Sequence, residues 1–202
     1  EEKLEDNYEA IATLQRVLAA APDHVAALSG CARLYEKESN WVDLIGILNR
    51  LVILETDDGR RNELVFRIAS VYQHEINDVE QALAQYANIL EFNPRHEKTL
   101  AALEDLLEGE EYREKAAALL EPLYVASSQI EKQIHLVERL LEIAVEPEHK
   151  AQLLRKLAGI HEGRGDLKKA FVYWGLLFRE NPANTEVEAQ LLRVAALGPF
   201  WQ

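Results

Sequence analysis

Apolar residues recur along this chain three and four positions apart almost from end to end. Leu44, Ile45, Leu48 and Leu51 form one such stripe. Leu28, Cys31, Ala32 and Tyr35 form another, and Leu64, Val65, Ile68, Ala69 and Tyr72 a third. That spacing puts each set on one face of a 3.6-residue helix. Eleven helices are predicted. They lie near 7–20, 24–37, from Asn40-Trp41, 59–74, from Asp78, 95–107, 112–125, 129–144, 148–162, from Asp166 and 185–196. Asp78 is placed to cap the fifth, and Pro122 falls inside the seventh. No segment alternates as a strand does. Links of two to five residues force consecutive helices antiparallel, as a row of helical hairpins.

The pattern also repeats itself. Ala10, Leu14, Val17 and Pro22 share their spacing with Ala82, Tyr86, Ile89 and Pro94. A third run, from Ala170-Phe171, closes on Asn181-Pro182 as the second closes on Asn93-Pro94. A small residue, a large one, a further apolar one and a proline stop describe a helix packed closely on its neighbours. A longer echo spans several helices. Leu34-Tyr35 returns as Leu123-Tyr124, and 68–72 as 157–161, each 89 residues on. Asn93-Pro94 returns after 88, one residue having been lost in a turn. The echo points to duplication of a five-helix block. An odd number of helices would exchange inner and outer layers in the second copy.

Composition supports a helical array. The 202 residues are 48% hydrophobic, with only nine glycines and six prolines. The net charge of −13 disfavours nucleic acid and anionic membranes and gives a mild preference for basic partners. No apolar span is long enough to cross a bilayer, so no membrane insertion is expected. A single cysteine, Cys31, excludes an intramolecular disulfide and reads as a core residue. There is no methionine, and the first residues, Glu1-Glu2-Lys3-Leu4-Glu5-Asp6, form no signal peptide. A cytoplasmic setting is favoured, with the natural N-terminus cut away. Trp201 stands where a further helix would open, as Trp41 does, so the segment reads as part of a longer array. Phe200 and Trp201, left exposed, would promote dimers.

The chain resembles the tetratricopeptide-repeat (TPR) family. Val65, Ile68, Ala69 and Tyr72 match the first helix of that motif, and Ala82, Tyr86, Ile89 and Pro94 match its second, with one extra residue in the turn. Leu28, Cys31, Ala32 and Tyr35 match a first helix, and Ala10, Leu14, Val17 and Pro22 a second. Residues 39–56 carry Leu44 where the family has a small residue, and 109–150 match loosely, so related Sel1 or HAT-type repeats stay open. The resemblance implies an all-α, right-handed superhelical solenoid of antiparallel hairpins. Its units fall near 7–22, 23–56, 57–94, 95–127, 128–163 and 164–202. It also implies a concave groove lined by first helices. The matching positions are Ser29 and Arg33; Phe66, Ser70 and Gln73; Ala101 and Asp105; and Arg155 and Gly159. Arg33 and Arg155 would pair with peptide carboxylates, and Phe66 would supply an apolar anchor. The Lys-and-Asn clamp that some members use for a terminal carboxylate is absent at these positions.

Chemistry is thinly written. The histidines His24, His74, His96, His135, His149 and His161 form no helical zinc pair, and no nucleophile elbow or phosphate loop is present. No catalytic residue, metal or cofactor is expected. His161, at the place of Tyr72 in the echo, reads as a packing residue. Gly163-Arg164-Gly165-Asp166 reads as a C-cap followed by an N-cap, and Trp174 with Phe178 as packing between repeats. Acidic pairs such as Glu110-Glu111 read as solvated surface. The function this favours is a non-enzymatic scaffold for a partner protein or peptide. The rivals are a self-assembling array, with a possible homo-oligomer, and a regulatory segment of a larger enzyme.

Overall fold

The computed structural model describes residues 2–198, with side chains from residue 6 onward. Pro199, Phe200, Trp201 and Gln202, and the expectations placed on them, lie outside the described residues. Every regular element among those described is helical. The helices are α1 (Glu2–Ala20), α2 (Val25–Lys37), α3 (Trp41–Leu54), α4 (Asp58–Val71), α5 (Val79–Phe92) and α6 (Glu97–Glu108). They continue as α7 (Arg113–Ala126), α8 (Ile130–Ile143), α9 (Pro147–Gly163), α10 (Leu167–Glu180) and α11 (Thr185–Leu197). A π-helical turn, Tyr72–Ile76, extends α4. The chain forms two compact units that divide within α6, at Ala101 and Ala102.

In unit 1, α1 packs on α2, α2 on α3, α3 on α4 and α4 on α5. In unit 2, α7 packs on α8, α8 on α9, α9 on α10 and α10 on α11. These are the expected antiparallel hairpins, and burial follows the TPR-like pattern. Cys31, Leu28, Ala69, Ala82 and Tyr86 are wholly buried in unit 1, and Leu157, Ala158 and Ala170 in unit 2. Alanines at these contacts let helix axes approach, while each buried leucine contributes about 2 kcal/mol of transfer free energy.

Two kinds of turn recur, and each follows from its residues. After α2, α7 and α9 the chain enters the left-handed region at Ser39 (φ 54°), Ser128 (φ 54°) and Gly165 (φ 76°). There the amide of the next helix's cap donates to an upstream carbonyl: Asn40 to Tyr35 (2.8 Å), Gln129 to Tyr124 (2.9 Å) and Asp166 to His161 (2.9 Å). This is a Schellman closure, which satisfies carbonyls the helix end would leave bare. The second kind is a proline turn. Pro22, Pro94 and Pro182 each follow the residue whose carbonyl accepts from the N–H of His24, His96 or Asn184 (3.1–3.2 Å). Those three residues then cap α2, α6 and α11, the histidines through Nδ1. Asp57, Asp78 and Asp166 cap α4, α5 and α10.

The 89-residue echo is present in three dimensions inside each unit. Tyr35 accepts a hydrogen bond from Gln15, and Tyr124 donates one to Glu104, both partners lying 20 residues upstream. Tyr86 donates to Gln73, and Trp174 to Glu162 at the corresponding place. The π-turn accounts for the missing residue. In unit 1 five residues lead from Tyr72 to the left-handed Asn77 (φ 59°), whereas four lead from His161 to Gly165. The extra residue widens one helical turn and leaves the capping bond from Asp78 to Tyr72 (2.8 Å) intact.

One stripe is corrected. In α1 the buried apolar residues are Ile11 and Leu18, while Val17 is 37% exposed and Ala10 only half-buried. Among the described residues α1 packs chiefly on α2, so it buries one narrow stripe; Ile11, Leu14 and Leu18 occupy it.

Candidate partner-binding groove

Unit 1 carries a groove of about 1090 Å³. The first half of α2, the end of α3, the α3–α4 link and one side of α4 form it, with Lys98 of α6 at the rim. Its apolar floor is Val25, Leu51, Leu54, Leu64 and Phe66. Val25 is 54% exposed. Phe66 projects from α4 with its ring centroid 5.9 Å from Tyr86 and 5.7 Å from His96, and Lys98 Nζ lies 5.9 Å from its centre. The ring is therefore held in place from behind while one side lines the groove. Ser29 and Ser70 add hydroxyls to the lining.

The sequence-predicted residues fall in three groups. Ser29, Phe66 and Ser70 meet in the groove. Arg33 is exposed on α2 but is not part of the lining. Gln73 is turned to the core, where its Oε1 accepts from the Tyr86 hydroxyl at 2.7 Å. Burial pushes that hydroxyl up to about 12, with Ser70 pulling slightly the other way. Ala101 and Asp105 are exposed on α6, in units 1 and 2 respectively. Arg155 and Gly159 belong to unit 2, on α9, where they hold the places that Phe66 and Ser70 hold on α4. Arg155 lies 3.9 Å from Glu148.

The charged residues of the groove were not foreseen: Arg60, Arg67, Lys98, Glu55, Asp57 and Glu63. Arg67 pairs with Glu36 at 2.7 Å and Lys98 with Glu63 at 2.5 Å. The separations of 31 and 35 residues match one helical hairpin, so a search for opposite charges at that period would have found them. Unit 2 shows the same device. Glu104 meets Lys132, Glu108 meets Arg139, Glu121 meets Lys156 and Glu162 meets Arg193. In each of these pairs the acid comes first in the chain. Exposed pairs of this kind add only tenths of a kcal/mol each, and they fix register between alternate helices more than they stabilise.

The smaller clefts of unit 2 are lined by this network. Glu104, Asp105, Leu107, Glu108, Tyr124, Lys132 and His135 enclose about 210 Å³. Burial would raise the Glu104 carboxyl, but hydrogen bonds from Lys132 and Tyr124 outweigh it and hold the group below the usual carboxylate range. A buried arginine closes the same region. Arg113 is 2% exposed. Its Nε donates to Leu107 O and Gly109 O (both 2.9 Å), Nη2 to Glu108 O (3.0 Å) and Nη1 to Arg139 O (2.9 Å). Glu142 supplies the counter-charge at 3.2 Å. Arg113 thus caps the C-terminus of α6 and ties it to the last turn of α8, where carbonyl dipoles favour a cation.

No family profile matches the chain, and no curated protein matches it. Among solved structures, it is similar to BtubC from P. vanneervenii at 16% identity over 91% of both chains, with a TM-score of 0.34. MamA is 18% identical over 92% of this chain and 88% of its own, with a TM-score of 0.38. YrrB, described as a TPR protein with an unusual peptide-binding site, is 11% identical over 94% and 85%, with a TM-score of 0.36. At scores this low the fold rests on the chain's own helices, turns and buried positions.

Proposed function

We propose that the chain is a non-enzymatic scaffold that holds a partner protein or peptide against the α2–α4 face of unit 1. One observation carries this reading: Ser29, Phe66 and Ser70, placed by the repeat pattern, converge in an open groove with an apolar floor and a charged rim. Such a groove suits an extended or helical segment whose apolar side chains seat on the floor while its backbone or polar groups reach the hydroxyls and the rim. Among the buried polar groups elsewhere, Arg113 is consumed by carbonyls and Thr99 by the capping His96. Arg33 flanks this face as an outer contact. Arg155 and Gly159 serve a corresponding contact in unit 2.

A photo-crosslinking residue placed at Ser70 tests the reading against one placed at Ile53, which is 81% exposed on α3 and does not line the groove. Partner adducts should form from position 70 and not from position 53, and Arg33→Glu should weaken them without changing the melting temperature. Equal adducts at both positions would remove the groove from the function.

A further inference from the structure

The acids and cations around the groove of unit 1 are not equally free. Glu55 turns its carboxylate to its own chain, accepting from the N–H groups of Thr56 (2.9 Å) and Asp57 (3.0 Å). Asp57 accepts from Arg60 N at 2.8 Å as the cap of α4. Glu63 is held by Lys98 at 2.5 Å. Every carboxylate in the lining therefore already accepts a hydrogen bond within the chain; Glu55 and Asp57, bonded to neutral N–H groups, keep their charge, and Glu63 is neutralised by Lys98. Of the three lining cations, Lys98 is matched by Glu63, and Arg67 by Glu36 at 2.7 Å. Arg60 is different. It is exposed in the first turn of α4, and its guanidinium has no partner among the described residues. A cation at a helix N-terminus sits against the positive end of the dipole, so its position gains nothing from the helix itself. An arginine that lines an apolar groove unpaired is a bidentate site for an incoming carboxylate.

We infer that the groove takes a protein segment that carries an acidic side chain next to apolar ones, with the carboxylate at Arg60 and the apolar side chains on Phe66, Leu64, Leu54 and Val25. This rests on the groove reading above and adds the partner's chemistry to it. It also runs against the chain's net charge of −13, which by itself favours basic partners. Local geometry decides, because an incoming carboxylate meets the unpaired Arg60 directly, while acids beyond about 8–10 Å are screened at physiological salt.

Panning a random dodecamer phage library against the full chain, and then against Arg60→Glu and Phe66→Ala, tests the pairing. Wild type should enrich peptides with Asp or Glu beside Leu, Ile, Phe or Trp. Measured by fluorescence anisotropy, Arg60→Glu should weaken those peptides at least tenfold. Lysine-substituted copies of the same peptides should regain affinity on Arg60→Glu. Enrichment of basic–apolar peptides, or of apolar peptides indifferent to Arg60→Glu yet lost on Phe66→Ala, overturns the inference while the groove reading stands. Enriched peptides whose binding is unchanged by Phe66→Ala and Arg60→Glu alike, or no enrichment at all, overturn both.

Discussion

Replacing Arg113 by methionine keeps the length and most of the volume of the side chain but removes its donors. Four carbonyl oxygens then lose a partner: Leu107, Glu108 and Gly109 at the end of α6, and Arg139 in α8. The bond to Leu107 is buried, and a hydrogen bond to a charged donor in that setting is worth about 1.5–3 kcal/mol. The other three are part-buried and can recruit water, so together they add about 1–2 kcal/mol. The variant is also relieved of burying a guanidinium, which returns some of that loss. The expected net cost is about 2–4 kcal/mol, or a fall of about 4–16 °C in the melting temperature of a chain this long. Urea denaturation measures the total, and amide hydrogen exchange locates it. Protection should fall first at the last turns of α6 and α8 in unit 2, with the amides of α2–α5 in unit 1 unchanged. Arg113→Lys should recover less than half, because an ammonium cannot reach four separated oxygens at once. A stability within about 0.5 kcal/mol of wild type, or a uniform loss of protection, would refute the clasp.

Two further outcomes follow from packing and burial. Ala69→Leu and Ala82→Leu should each cost about 1–3 kcal/mol by chemical denaturation, because both alanines are wholly buried where α4 meets its neighbours. A neutral result at both would contradict the close helix contact. His161 is 1% exposed and stacked on Tyr173 at 5.5 Å, with neither ring nitrogen hydrogen-bonded within the chain. Burial pushes its pKa below the ordinary 6.5; Asp166 and Glu138 oppose that, and Lys169 and Arg164 reinforce it. Below pH of about 6.5 the unfolded chain takes up a proton that the folded chain refuses, so stability is full above that pH and falls as the pH drops. His161→Phe should flatten the acid side of a melting-temperature profile, and an unchanged slope would remove the residue from the acid response.

The helices were legible because their apolar stripes and caps are local. Asn40, Asp78 and Asp166 stand one residue before helices that begin where the pattern places them. The stripe of α1 was misread because Val17 and Leu18 are equally apolar. Only the position of α2 decides which of the two turns inward. Arg113 was invisible for a related reason. Its acceptors lie on α6, its following loop and α8, up to 29 residues away, and nothing in an Arg-Glu-Lys run marks a buried cation. A minority of the groove was readable: Ser29, Phe66 and Ser70 follow from repeat register. Gln73 followed the same register and was taken by Tyr86 instead, a choice made by a core hydroxyl that needs an acceptor. The free state of Arg60 depends on which neighbours are already engaged, which no linear pattern records.

The π-turn at Tyr72–Ile76 has a practical consequence for how this chain can change. An insertion inside a straight helix rotates everything after it by about 100°, which would drive polar residues into the core. Here the surplus residue is stored as slack at a helix exit, and α5 still presents Ala82, Tyr86 and Ile89 inward. That bend is a site where evolution or an engineer can shorten the polypeptide by one residue without re-threading the rest.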